Sequence, residues 1–218
     1  MFTMNQLFEL IRGWATDRNI ISQSDFEGQF LKAQSEAGEL CSHAAGNRFA
    51  KLKDDVGDVI VCLTNAFACS GIKIEDVVDL RLLNPNAVVV NDLEKGRVRF
   101  RARELKTDLV LLDHAVFGGG YQACDSEDLK TKGEELYPIF KILSLIANSQ
   151  GWSLVECVTA SWNDIKDRRG LMIGTAFVKE QDFTPAEVSN WLETIDSLSP
   201  SAVDYLKGWL NANTQIAG

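Results

Sequence analysis

Apolar residues recur along the chain at helical spacing far more often than in alternation. Leu7, Ile11 and Trp14 fall on one face and predict an amphipathic helix over 5–19. Ser22 to Asp25 reads as a loop able to cap a second helix over 26–45, stopped by Gly46 and Asn47. A third helix is expected over 49–70, with Gly71 in the stop position and a short helix from Ile74. The pattern breaks around Asn84 and Pro85, and Ala87 to Val90 reads as a linker or a short extended piece. Helical periodicity returns over 97–116 and ends at the Gly118-Gly119-Gly120 triplet, a flexible connection without the GKS/T of a phosphate loop. Two more helices follow, over 134–149 and 153–168. The run 170–179 predicts a β-hairpin turning at Gly174. Thr184-Pro-Ala-Glu187 is a capping box with proline at the first helical position, and a last helix is expected over 201–210.

The longest apolar stretch, 59–72, is interrupted by Thr64, Asn65 and Ser70 and is too short for a bilayer, so it predicts a buried helix. The N-terminal residues show no basic segment followed by an apolar one, and the five cysteines form no CxxC pair. Both features lead to the expectation of a cytoplasmic protein with reduced thiols. The formal net charge of −9 argues against membrane or nucleic-acid polymers as partners.

The segment 54–77 lays on 134–157 without a gap, eighty residues later. Asp54-Asp55 meets Glu134-Glu135, Leu63 meets Leu143, Gly71 meets Gly151 and Ile74 meets Leu154. Such self-similarity predicts two related helical halves fused in one bundle. Asp58 falls opposite Pro138, so only the first half can carry its acids. The expected organisation is a first half over 1–80, a linker over 81–96, a degenerate second half over 97–180 and a helical extension over 181–218.

Glu36 and Glu39 are three apart on the second predicted helix, and Asp55 and Asp58 are three apart on the third. Residues at that spacing share a helix face. If these helices pack antiparallel across the short loop at 46–48, four carboxylates converge at the edge of a core. Such a group repels itself unless hard divalent cations sit among it. A di-iron site is disfavoured, because neither His43 nor His114 has a glutamate three residues before it.

The runs Gln29-Phe-Leu-Lys-Ala-Gln-Ser-Glu-Ala-Gly-Glu-Leu and Asp54-Asp-Val-Gly-Asp-Val-Ile-Val-Cys-Leu-Thr-Asn resemble the paired ExxE and ExxD elements of MazG-like pyrophosphohydrolases. The run 161–180 resembles the arm that follows the last core helix in that family. The resemblance implies an all-α bundle of the MazG type with a short hairpin, and an enzyme that cleaves nucleoside triphosphates to the monophosphate and pyrophosphate. It implies Mg²⁺, with Mn²⁺ as the alternative ion, on Glu36, Glu39, Asp55 and Asp58, which are then also the catalytic residues. It implies substrate contacts from Lys32, Asn65, Asn163, Lys166 and Arg168. Homo-oligomeric relatives join such groups across an interface, so a homodimer stands beside an internally fused site as the expected assembly. Ser35 stands where many relatives carry a further glutamate, and Asp55 replaces the commoner glutamate. A nucleotide-binding or scaffold protein without turnover is therefore the alternative reading.

Overall fold

The computed structural model describes residues 2–80, 84–86, 96–117, 135–174 and 176–214. The expectations for Ala87 to Val90, Gly118 to Gly120, Cys124 and Glu134 lie outside the described residues. The described residues are mostly helical and include one two-stranded antiparallel hairpin. No helix among them is long and apolar enough to cross a membrane.

Helix α1 (Met4–Asp17) begins at a capping box in which Thr3 and Gln6 satisfy each other's backbone N–H groups, and it buries Leu7, Phe8 and Ile11. It stops earlier than the periodicity predicts, because Asn19 adopts a left-handed conformation (φ 61°). The expected loop over 22–25 is in part a single helical turn, α2 (Ile20–Gln23). Asp25 then caps α3 (Phe26–Ala45), accepting from the Gly28 N–H at 2.7 Å.

The α3 stripe narrows from Phe26 and Phe30 to Ala33 and Ala37, small residues that let a neighbouring helix approach. That neighbour is α4 (Leu52–Cys69), which returns antiparallel after a 3₁₀ turn at Phe49–Lys51. Thirteen of the eighteen α4 residues are buried, which makes it the central helix. It packs on α3, α1 and the helices of the second half. The short helix expected from Ile74 is only a 3₁₀ turn, Ile74–Asp76.

Helix α5 (Val98–Phe117) packs on α3 and on α6 (Leu136–Ser149), while α7 (Leu154–Ile165) packs on α4. The two sequence halves therefore share one core rather than forming two. Their helix ends match. Ile72 N–H donates to Phe67 O and Gly71 N–H to Ala68 O, and eighty residues on Trp152 N–H donates to Ala147 O and Gly151 N–H to Asn148 O. Gly71 (φ 72°) and Gly151 (φ 82°) supply the left-handed residue each stop requires.

Strands β1 (Gly170–Ile173) and β2 (Ala176–Lys179) pair around the turn at Gly174 (φ 58°). Thr184 caps α8 (Pro185–Thr194), and α9 (Pro200–Thr214) is longer than the periodicity predicts. Leu171, Phe183, Val188, Ala202 and Leu206 form a second, small core, so the hairpin belongs with the C-terminal helices. A polar seam joins this unit to the bundle. The Asn19 amide donates to Met172 O at 3.2 Å and its oxygen accepts from the Ser199 N–H at 2.9 Å. Met172 N–H donates to Arg18 O at 2.8 Å.

Candidate functional site

The α3–α4 hairpin sets its four carboxylates as two couples, Glu36 with Asp58 and Glu39 with Asp55. Glu36 and Asp58 line a cleft of about 270 Å³, together with Lys32, Asn65 and Arg168. Glu39 and Asp55 do not line this cleft. Asp55 is buried and its carboxylate lies against His43 Nδ1 at 2.7 and 3.0 Å. Burial, chiefly, holds the Asp55 carboxyl above its ordinary range; the His43 hydrogen bond and charge oppose this, and Asp54 and Glu39 add to it. His43 is thus the hydrogen-bonding partner of the second couple.

Asp58 carries the strongest perturbation among the acids. Its carboxyl is pushed up to about 6, first by burial and then by the neighbouring charge of Asp54; Glu36 adds to this, while the Ser161 hydrogen bond and Arg168 oppose it. Glu36 is itself braced by Lys32, whose ammonium lies 3.5 Å from its carboxylate one helical turn away.

Asp58 is half-buried, covered on one side because α4 and α7 touch at Gly57. A Cβ at that position would fall inside the van der Waals envelope of Ser161 Oγ and the Cys157 carbonyl oxygen. The fully buried Ser161 lies against Asp58 and donates to Asp54 O at 3.1 Å. Ser161 and Gly57 are site residues that the carboxylate spacing does not announce. The available signal is a glycine in the middle of an apolar helix, where it weakens the helix unless something passes close by.

The arm divides. Arg168 reaches the cleft, its backbone carbonyl held by Arg18 Nε at 3.0 Å. Lys166 instead lines a separate hollow with Trp162 and Trp14, and its ammonium donates to Asn163 Oδ1 at 2.9 Å. Neither Asn163 nor Lys166 lines the cleft. The physical reason is that α7 ends at Ile165 rather than at Arg168, so the chain turns before Arg168 and the two side chains part.

Asn65 forms part of the buried floor, and its Oδ1 has no hydrogen-bond partner. Trp14 closes the cleft from α1, its ring stacked on Phe177 of β2 at 6.3 Å. The donor set suits a hard divalent cation: carboxylate oxygens from two helices whose mutual repulsion positive charge would offset. Among the described residues, no three His, Cys, Asp or Glu side chains form a group that could hold a metal ion. The cleft therefore offers one such pair, Glu36 and Asp58, while the second lies outside it with Asp55 held against His43.

No family model matches the chain. Over 63 residues it is 41% identical to an uncharacterized 18.2 kDa protein in the rep-hol intergenic region of Haemophilus phage HP1 (strain HP1c1). The match covers 29% of this chain and 39% of that protein, so the chain spans well under half the length of the curated relative it matches. No solved structure matches.

Proposed function

We propose that the chain is a magnesium-dependent nucleoside triphosphate pyrophosphohydrolase built on a MazG-like bundle. The observation that carries this reading is the cleft itself. Two acids on facing helices, Glu36 and Asp58, share it with two cations, Lys32 and Arg168. An acid pair alone is an electrostatic cost; acids and cations lining one hollow suit a ligand that brings phosphate together with divalent metal.

Glu36 and Asp58 would hold the ion from the cleft side, with Glu39 and Asp55 behind them once Asp55 leaves His43. Magnesium, when bound, supplies charge neutralisation and Lewis acidity. Lys32 and Arg168 take up negative charge on the phosphates as it shifts toward the leaving group. Asn65 offers an amide to the nucleoside, and Trp14 and Phe177 limit water on that side. In the reaction a water oxygen bonds to the α-phosphorus, the bond from that phosphorus to the α,β-bridging oxygen breaks, and pyrophosphate departs.

The second reading, a nucleotide-binding protein without turnover, is favoured by one observation: Asp55 is tied to His43. Pyrophosphate release from a panel of ribo- and deoxyribonucleoside triphosphates with Mg²⁺ separates the two. Release from at least one nucleotide is expected. Binding without release across the panel would leave the second reading standing, and neither binding nor release would leave a helical scaffold protein.

A further inference from the structure

An open groove of about 930 Å³ adjoins the carboxylate cleft and shares Arg168 and Phe177 with it. Its other walls come from the C-terminal unit, where the sequence pattern shows helices and no chemistry. Three cationic side chains, Arg168, Arg169 and Lys179, line it against a single carboxylate, Glu180. Glu180 is already engaged, because Arg169 Nε lies 2.8 Å from it and the Tyr205 hydroxyl donates to it. The groove is therefore net positive on a chain of formal charge −9.

Aromatic rings stand among these cations, each packed against another ring. Trp209 meets Phe183 edge-on at 5.5 Å, and Phe177 is stacked on Trp14. Gly170 is required behind Phe177: its φ is 143°, and a Cβ there would lie 2.9 Å from the Phe177 ring. Pre-set rings beside arginine and lysine suit a flat ring that carries phosphate. Size points the same way. Small-molecule sites commonly enclose roughly 300–1,000 Å³. The cleft, at about 270 Å³, lies near the lower end of that range and has room for one moiety, and the groove beside it, at about 930 Å³, has room for another.

We propose that the groove binds a second nucleotide moiety, and that the preferred substrate class is two nucleosides joined by a polyphosphate chain that passes Arg168. This deepens the pyrophosphohydrolase reading and rests on it for the moiety in the cleft. The chemistry is unchanged: water's oxygen bonds to the α-phosphorus of the cleft moiety, and the bridging oxygen leaves with the distal nucleoside polyphosphate. The products are a nucleoside monophosphate and the distal nucleoside carrying all the other phosphates, so that diadenosine tetraphosphate gives AMP and ATP.

Calorimetric titration of the full chain with diadenosine tetraphosphate, ATP and AMP tests the groove, in the wild type and in Lys179→Glu. Lys179 is exposed on β2, and circular dichroism checks that the variant is folded. The two-headed nucleotide should bind roughly tenfold more tightly than ATP, and Lys179→Glu should abolish that preference while ATP binding to the cleft stays unchanged. Equal affinities in the wild type, or a preference that survives Lys179→Glu, overturn the proposal. A second, Lys179-dependent site for free AMP or ATP without preference for the two-headed ligand overturns the bridging form, since the groove would then hold a separate molecule. Turnover is read independently. Release from ATP with no Lys179-dependent preference sinks the groove and leaves the hydrolase; the preference without any release sinks the hydrolase and leaves the groove.

Discussion

The α3–α4 and α5–α6 hairpins each begin with a long helix, turn back through a second one and stop at a left-handed glycine. They differ where the first helix pair presents its acids. Gly57 corresponds to Tyr137 and Asp58 to Pro138. In the first hairpin the glycine lets α7 close onto α4, and this contact half-covers Asp58 beside Ser161. In the second, Tyr137 keeps its ring half-exposed with the Lys141 ammonium over it at 6.0 Å, and Pro138 sits in the first turn of α6, where a missing N–H leaves no bond unmade. The contrast shows that the perturbed acid depends on a helix contact as much as on the acid itself. The second hairpin retains the shape without the contact and serves as the packing partner for the first.

The largest expected effect follows from removing the acid. On the proposed pyrophosphohydrolase reading, Asp58→Asn should lower pyrophosphate release about a thousandfold, since a neutral amide cannot stand in for a metal-binding carboxylate. Glu135→Gln, on the other hairpin, should leave the rate unchanged, and equal losses from both would erase the distinction between the halves. Next comes the contact. Gly57→Ala should destabilise the fold by about 3 kcal/mol, because the new methyl meets Ser161 and the Cys157 backbone and not a flexible tip. Chemical denaturation checks this, and a midpoint at or above wild type would mean that α4 and α7 separate at little cost.

The smallest effect is on pH dependence and sharpens the same point. The Asp58 carboxyl lies at about 6 in the folded chain, above its ordinary value. Folded-state proton affinity is therefore raised, and the unfavourable burial of the charge appears as pH rises through that window. Without divalent metal, Asp58→Asn should be more stable than wild type by about 2 kcal/mol at pH 8, with the difference vanishing near pH 4. Thermal melts across that range measure it, and a difference that grows toward low pH would contradict the burial of the acid.

Much of this framework is legible in the sequence. Apolar spacing locates α3 and α4, the glycines at 71 and 151 mark the stops, and the 170–179 run gives the hairpin with its turn at Gly174. Spacing also puts Glu36, Glu39, Asp55 and Asp58 on facing surfaces. It does not reveal the pairing, because periodicity fixes a face but not the register between two helices, and register is what sets His43 against Asp55. The division of the arm is hidden for a different reason. It depends on where α7 ends and on Arg18 holding the Arg168 carbonyl from another helix, 150 residues away in sequence. Ser161 is illegible for the same cause, since nothing local to it signals that it will meet Gly57.

The joint at Asn19 has a consequence for how the molecule opens. The C-terminal unit rests on five buried apolar side chains and a line of hydrogen bonds that water can replace at small net cost. Its amides should exchange through a sub-global fluctuation while those of α4 exchange only when the entire bundle comes apart. Phe177 and the groove wall belong to the unit that fluctuates, and Glu36 and Asp58 to the one that does not. The Phe177 wall should therefore loosen at a local cost, without drawing on the free energy that keeps the acids in place.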